Sequence, residues 1–508
     1  MSTSLNAAQR ARDLAALGED AHYDVLVIGL GVTGAGVALD AASRGLRVLA
    51  VDAHDLAFGT SRWSSKLVHG GLRYLAKGQL GVAHESAVER GVLMTRTAPH
   101  LVRQITTFVP LTAQVSRSQA FLARAGFVAG DLLRAAARTP RSVLARPHRV
   151  DAAEALAMCP ALAPDGVRGA AVGYDGQLVD DARLVTALAR TAAGEGATIL
   201  NHVRALDVTG TGATLRDELT GTTHDVTANA VINAAGVWAG QVVAGLKLKP
   251  SRGTHLVLRA DSIPGLDVAL TAPVPGESNR FVFALPQADG LIYVGLTDIE
   301  VDEIPDVPTA AEEEVDFLLD VINRVLDRPL TRDDVVGTYS GLRPLLDDEG
   351  RTADLSRRHA VLTSDTGVIT IVGGKLTTYR RMAQDAVDAA VGQRGLAARP
   401  CRTRDLPLVG AGPAPAGAPS RLVERYGSEA GEVAALGRAA FGDEALAPVV
   451  PGSPVTLAEI VWGAAHEGAV TAGDLVERRT RLSLVSAQAP AARAAAERVL
   501  AASSGSPV

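Results

Sequence analysis

The chain has 508 residues, 47% of them hydrophobic, so it can bury a large core across two or three domains and is not a disordered protein. Its 50 basic and 56 acidic residues leave a net charge of −6, which excludes bulk electrostatic binding of nucleic acid but not a local basic patch. The two cysteines, Cys159 and Cys401, are too far apart for a CxxC pair or a zinc site, and two cysteines fit a reducing cytoplasm better than a disulfide framework.

Up to Asp20 the chain is polar and mixed in charge. It lacks the apolar stretch of a secretory signal and is expected to form an N-terminal extension, residues 1–20. The longest mostly apolar run, Val25 to Leu39, is too short to span a bilayer and contains four glycines. It reads instead as strand, turn and helix. Asp24-Val-Leu-Val-Ile-Gly29 has the apolar, β-branched character of a strand buried on both faces. Gly34 to Ser43 is a small-residue helix, and Arg47 to Asp52 a second buried strand.

Between these elements lies Gly29-Leu-Gly31-Val-Thr-Gly34. The first glycine permits a tight turn, the second lets the backbone approach a pyrophosphate, and the third lets helix and strand pack closely. The helix N-terminus offers N–H groups and a positive dipole end to phosphates. Asp52, ending the second strand, is placed to accept hydrogen bonds from a ribose. The run therefore reads as a dinucleotide site.

Residues 61–98 mix loop and helix. Residues 117–149 look helical and basic, with Arg117, Arg124, Arg134, Arg138, Arg141, Arg146 and Arg149 opposed only by Asp131. Phe121, Ala125, Val128 and Leu132 recur there at helical spacing. That pattern fits a basic amphipathic helix on an anionic membrane surface, or a core-facing helix with a solvated arginine face. From about 166 to 290 the chain is strand-rich, with strands expected at Thr198–Val203, Val231–Gly236, His255–Leu258 and Leu291–Gly295. Residues 310–326 form an amphipathic helix. Ile369-Thr-Ile-Val-Gly373-Gly374-Lys375 then repeats the order strand, glycine turn, helix start. A second such turn late in the chain favours FAD over NAD, because the long flavin needs a second element at its isoalloxazine end. Residues 409–420 are rich in Pro, Ala and Gly and are expected to be a linker, before a helical region at 421–508.

Three long motifs, in order, carry a family resemblance. Ser64-Ser-Lys-Leu-Val-His69-Gly70-Gly71-Leu-Arg73-Tyr74, Tyr339-Ser-Gly-Leu-Arg343-Pro344-Leu and Gly373-Gly-Lys375-Leu-Thr-Thr-Tyr379-Arg380 resemble the FAD-dependent glycerol-3-phosphate dehydrogenases. The likeness runs from about residue 22 to about 485 and includes Glu477-Arg-Arg-Thr-Arg481. It implies an α/β fold with a glutathione-reductase-like, Rossmann-type FAD-binding domain, an antiparallel-sheet substrate domain and a C-terminal helical domain. The body is expected at residues 21–408, with FAD-binding segments near 22–110, 166–245 and 355–395.

The resemblance also implies oxidation of glycerol 3-phosphate, electron transfer to a membrane quinone, and peripheral membrane docking through the basic stretch; it leaves room for a homodimer. Substrate contacts are expected at Arg73, Tyr74, His255, Arg343 and Lys375, and at Arg357 or its neighbour Arg358. The family's Gly-Ser-His stands here as Gly253-Thr254-His255. Cofactor contacts are expected at Gly29, Gly31, Gly34, Asp52, Ser64, Ser65, Lys66, His69, Val203, Ala235, Gly236, Gly374, Lys375, Leu376 and Thr377. His255, Arg343 and Lys375 are the expected catalytic set.

Elementary chemistry points the same way. A phosphomonoester needs several cations, and arginine's planar fork suits its oxygens. Oxidation of an alcohol by flavin needs a group to take the hydroxyl proton, for which His255 is the first candidate. A glycerophosphate-type oxidase tends to carry a long insertion in the substrate domain, and none is obvious here. An amino-acid oxidase would need a carboxylate clamp, and a non-enzymatic flavin module would not need the cations and His255 together.

Overall fold

The computed structural model describes residues 2–18, 21–71, 78–113, 115, 117–277, 280–346 and 359–504. His22–Ile28 lies at the centre of the first sheet, where Val25, Leu26 and Val27 are wholly buried. It pairs in parallel with Val48–Val51 on one side and Thr223–Asn233 on the other. The sheet continues to Thr198–Leu200 at one edge and through Ile369–Gly373 to His359–Thr363 at the other. Covered on both faces, such a sheet demands the continuous apolar strands seen in the sequence. The helix Val32–Ser43 packs between the helices Asp181–Gly194 and Tyr379–Arg394, and its small residues allow that close approach.

The second sheet is built from ten strands among the described residues and is antiparallel except where Ala269–Pro273 runs parallel to Val102–Pro110. Ser251–Arg259 is held between Leu291–Gly295 and Val335–Arg343. One face of this sheet buries Phe108, Leu256, Leu258, Ile292 and Val294 against the helix Glu312–Asn323. Its other face turns toward the first sheet and carries the site.

Residues 420–504 add the helices Ser420–Tyr426, Ala430–Phe441, Leu457–His466 and Ala489–Ser504. The segment expected as a linker is pinned: Val409 N–H donates to Thr191 Oγ1 at 3.0 Å, and Ser428 N–H to the Gly410 carbonyl at 3.0 Å. The expected N-terminal extension is packed as well. Its helix Ala7–Ala15 sends Arg10 to Asp217 at 2.5 Å, and Leu5 N–H reaches the His466 carbonyl at 3.0 Å. Tertiary hydrogen bonds and the Arg10–Asp217 pair thus tie both segments to the body.

The basic stretch also differs from expectation. Its helix is Arg117–Ala136 and stops there; Arg149 lies in a short strand, His148–Val150. Arg134 is buried, with its guanidinium turned to Asp131 and the Thr139 carbonyl. The apolar ridge faces outward: Phe121 is 70% exposed, Leu122 60%, Val128 50% and Leu132 67%. The helix therefore turns Phe127 and Leu133 inward but leaves the ridge of Phe121, Val128 and Leu132 uncovered.

Candidate active site

A cavity of about 1050 Å³ runs from the carboxyl ends of the parallel strands to the second sheet. That end of an open α/β sheet is where ligands bind in this architecture. Gly29 turns the chain there with φ +99°, a left-handed conformation that favours glycine. A Cβ on Gly34 would lie 1.7 Å from the Gly29 carbonyl oxygen, so only glycine lets this helix approach the strand. Gly31 caps the helix without a side-chain hydrogen bond, leaving its positive end toward the cavity, while Val32 N–H donates to Ser61 Oγ at 2.9 Å. Asp52 lines the cavity and accepts Leu30 N–H at 2.6 Å and His54 N–H at 2.8 Å. Burial raises its pKa, and the two backbone donors oppose that rise.

Val203, Ala235 and Gly236 line the same cavity, as do Gly374, Lys375, Leu376 and Thr377 from the second glycine turn. Two glycine turns some 340 residues apart in sequence thus face one space, which suits an elongated dinucleotide. Gly34 stands behind the cradle, where its role is packing against Gly29.

The opposite wall is built on Ser251–Arg259 and its neighbours. His255 is 1% exposed. Its ring lies against Tyr339 with centroids 4.6 Å apart, and Nε2 meets Ser65 Oγ at 2.8 Å. Gly295 makes the space for it: a Cβ there would fall 2.2 Å from His255 Cδ2. Burial, then the charges of Lys66 and Arg343, hold the His255 pKa well below the usual histidine range, so the imidazole is neutral.

Arg343 ends its strand on the cavity wall. Nη1 donates to Asp298 Oδ1 at 2.9 Å and to Ser251 Oγ at 3.1 Å, and Nη2 to the Thr297 carbonyl at 3.3 Å. Lys375 reaches the cavity from the other sheet, with Nζ donating to Ser86 Oγ at 2.7 Å. His255, Arg343 and Lys375 therefore share one cavity. Arg73, Tyr74, Arg357 and Arg358 lie outside the described residues. The loop leading to the first two is braced, because Asp175 accepts Gly70 N–H at 3.1 Å and pairs with Arg90 at 2.7 Å. Ser64, Ser65 and His69 line the cavity.

Lys66 is a correction. Its side chain is absent from the cavity wall. It is buried, with Nζ 2.8 Å from Asp181 Oδ1 and donating to the Arg62 carbonyl at 2.9 Å. Burial and the Arg481 charge push its pKa down to about 8, against the pull of Asp181 and Asp180. A lysine inside a loop motif looks like a phosphate or flavin contact in sequence, but here its charge holds the loop from behind.

Several residues escaped the sequence pattern. Trp63, Asp298 and Phe283 line the cavity, and Tyr339 backs His255. Phe283 and Tyr339 are placed by strand pairing, Trp63 by the turn that follows Thr60–Arg62, and Asp298 by the loop before Ile299–Glu300; Tyr339 stands in a motif quoted above, where only Arg343 carried a role. Asp55 is the largest omission. It is wholly buried and binds Arg478 at 2.6 Å and Arg479 at 2.7 Å, while Glu477 binds Arg62 at 2.7 Å. The Glu-Arg-Arg run of the helical tail thus locks onto the loop between the nucleotide cradle and Trp63. Asp55, His202 and Asp474 present ligand atoms within 4.8 Å of one another, but the two arginines already neutralise that cluster.

Residues 24–380 match the family model of FAD-dependent oxidoreductases, and residues 365–505 match that of the C-terminal domain of alpha-glycerophosphate oxidase. The chain is 54% identical over 497 residues to glycerol-3-phosphate dehydrogenase 1 of Mycobacterium tuberculosis, covering 95% of this chain and 96% of the relative. It is 35% identical over 409 residues to the aerobic glycerol-3-phosphate dehydrogenase of Staphylococcus aureus, covering 77% of this chain and 71% of that one. The solved glycerol-3-phosphate dehydrogenase from Bacillus halodurans, complexed with FAD, superposes with a TM-score of 0.74 at 28% identity, over 98% of this chain and 94% of the other. The L-alpha-glycerophosphate oxidase from Mycoplasma pneumoniae shares the fold, with a TM-score of 0.59 at 16% identity over 76% of this chain and 99% of that one.

Proposed function

The chain belongs to the FAD-dependent glycerol-3-phosphate dehydrogenase family, and from that premise we propose that it oxidises sn-glycerol 3-phosphate to dihydroxyacetone phosphate and delivers the electrons to a membrane quinone. One observation carries the reading: the nucleotide cradle, His255, Arg343 and Lys375 all open on a single cavity. FAD, when bound, supplies a two-electron acceptor for the hydride at C2 of the substrate. Gly29, Gly31, Asp52, Val203 and Gly236 would hold its nucleotide half, and Gly374 to Thr377 would close over the rest.

The chain's own residues do the remainder. Arg343 and Lys375 offer positive charge to the phosphomonoester, which carries about −1.5 to −2 at neutral pH. Asp298 orients the Arg343 guanidinium through the 2.9 Å pair. His255, neutral in its buried site, is the sink for the hydroxyl proton. A dianion arriving at Arg343 offsets one of the charges that disfavour the imidazolium. The substrate itself therefore makes His255 a better base.

The quinone reading rests on the helix Arg117–Ala136. One side exposes Phe121, Val128 and Leu132, flanked by exposed Arg124 and Arg138. Leu122, at the edge of that side, lines the cavity together with Ala123, Gly126 and Phe127, as do Phe281 and Phe283. A lipophilic acceptor in a bilayer would meet an apolar approach to the flavin there. No helix among the described residues is long and apolar enough to cross a membrane, so the proposed attachment is peripheral, on the inner face of the cytoplasmic membrane.

The test is anaerobic. The purified yellow protein is expected to bleach on adding glycerol 3-phosphate and to recover colour with a soluble quinone. No bleaching would sink the substrate assignment. Stoichiometric peroxide in air, with no quinone reduction, would turn the reading to an oxidase.

A further inference from the structure

Ser65 and His255 both line the cavity, and Ser65 occupies the one imidazole nitrogen that has a hydrogen-bond partner. The imidazole is 1% exposed; its Nδ1 is buried without a hydrogen-bond partner among the described residues, and Nε2 meets Ser65 Oγ at 2.8 Å. Ser65 is only part-buried and lines the cavity. With Nδ1 buried and Nε2 already bonded to Ser65, a ligand hydroxyl in that space connects to the imidazole through Ser65 Oγ.

We propose that Ser65 is a catalytic residue that relays the substrate's hydroxyl proton to His255, an inference that rests on the reading of His255 as the base. The C2–H bond breaks and its electron pair leaves with the hydrogen to oxidised FAD. The substrate O–H bond breaks and its proton passes to Ser65 Oγ, while the proton Ser65 carried passes to Nε2. The C2 carbonyl forms, and His255 ends as the imidazolium. The relay uses the tautomer protonated at Nδ1, in which Ser65 donates to Nε2.

The loop is built to hold that hydroxyl still. Lys66 has φ +59°, a left-handed conformation unusual for a long side chain. Such a conformation persists where surroundings over-determine it, and here they do. Asp181 accepts Ser64 N–H at 2.9 Å and pairs with Lys66 at 2.8 Å, and Tyr339 Oη donates to the Ser64 carbonyl at 3.0 Å. Bonds on both flanks of Ser65 hold its backbone where Oγ meets Nε2.

The holoenzyme tests it by stopped-flow flavin reduction with glycerol 3-phosphate in the absence of oxygen. Ser65→Ala is expected to slow reduction about a hundredfold while substrate affinity stays within about threefold, and Ser65→Thr, which keeps a hydroxyl, to lose less than about tenfold. In mixtures of light and heavy water the wild-type rate is expected to bow, as two protons move together, and the Ser65→Ala rate to vary linearly. A Ser65→Ala enzyme as fast as wild type, or a linear wild-type dependence, overturns the relay. The second measurement decides even if Ser65→Ala does not fold. A wild-type flavin that glycerol 3-phosphate does not bleach, or a His255→Ala enzyme reduced at the wild-type rate, overturns the underlying reading and the relay with it.

Discussion

The Tyr339 ring lies flat on the His255 imidazole, planes 13° from parallel and centroids 4.6 Å apart, while its hydroxyl holds the Ser64 carbonyl at 3.0 Å. One side chain thus sets both the plane of the proposed base and the loop that faces it. Tyr339→Phe keeps the stacking and removes the hydroxyl, leaving Lys66 Nζ at 3.3 Å as a longer partner for that carbonyl. The expected loss is about 1 kcal/mol of stability and a severalfold slower flavin reduction. Tyr339→Ala, which removes the stacked wall as well, is expected to slow reduction further. Thermal denaturation and stopped-flow absorbance measure the two effects.

Arg343 is held on the cavity by Asp298, Ser251 and the Thr297 carbonyl. Arg343→Gln keeps polarity but removes the charge offered to phosphate. The expected result is a KM for glycerol 3-phosphate raised about a hundredfold, matching roughly 3 kcal/mol from a lost charge-assisted contact. Asp298→Asn is expected to fall between it and wild type. Steady-state kinetics with a soluble quinone check both; an unchanged KM in Arg343→Gln would remove it from the substrate site.

Asp55 receives two buried guanidinium groups, and removing its charge strands them. Asp55→Asn is expected to cost about 3–5 kcal/mol, the range for breaking a buried ion pair from one side. The cluster of Asp55, His202 and Asp474 resembles a metal site in geometry alone. A chelator is therefore expected to leave the melting temperature unchanged. A chelator-induced drop would mean that an ion, not Arg478 and Arg479, balances these carboxylates.

His100 sits in the joint beneath the helical tail, close enough that a Cβ on Gly410 would fall 2.7 Å from its Nε2. Burial, helped by the Arg183 charge, lowers its pKa from 6.5 to about 4. The folded state therefore binds fewer protons than the unfolded state between those values. The stability that depends on neutral His100 is fully present above about pH 6.5 and is lost as pH falls toward about 4, a span worth roughly 2–3 kcal/mol. His255, also depressed, acts with the same sign. Urea denaturation across that window is expected to show the fall, and His100→Gln to flatten its share.

Membrane attachment is expected to depend on the outward ridge rather than on Arg134, which is buried. Replacing Phe121 and Leu132 with Asp puts charge where apolar side chains would enter the headgroup region. Co-sedimentation with anionic vesicles is expected to fall more than about tenfold, since each large side chain contributes on the order of 1 kcal/mol or more on burial. Equal sedimentation of variant and wild type would count against docking through this helix.

Much of the cofactor cradle was legible because it is local. Gly29, Gly31 and Gly34 state a backbone requirement within six consecutive residues, and Asp52 follows at the end of the adjacent strand. The second turn at Gly373-Gly374 is written in the same way. Lys66 was misjudged for the complementary reason. Its motif says that the lysine belongs to the loop, but not whether the side chain faces the cavity or Asp181. The pinned segment at 409–412 and the outward Phe121 ridge were also undecided, since composition does not record which neighbour, if any, will cover a surface.

What the sequence determined by itself is the set of turns, the alternation of buried strands with small-residue helices, and the motifs that mark a flavin enzyme of this family. Those are properties of neighbouring residues, governed by backbone sterics and periodic burial. Only the tertiary structure decided that Ser65 meets His255 across 190 positions, and that Arg479 reaches back 424 positions to Asp55. Hydrogen bonds and ion pairs form wherever folding brings donors to acceptors, and no short-range pattern encodes which distant partner a buried charge will find.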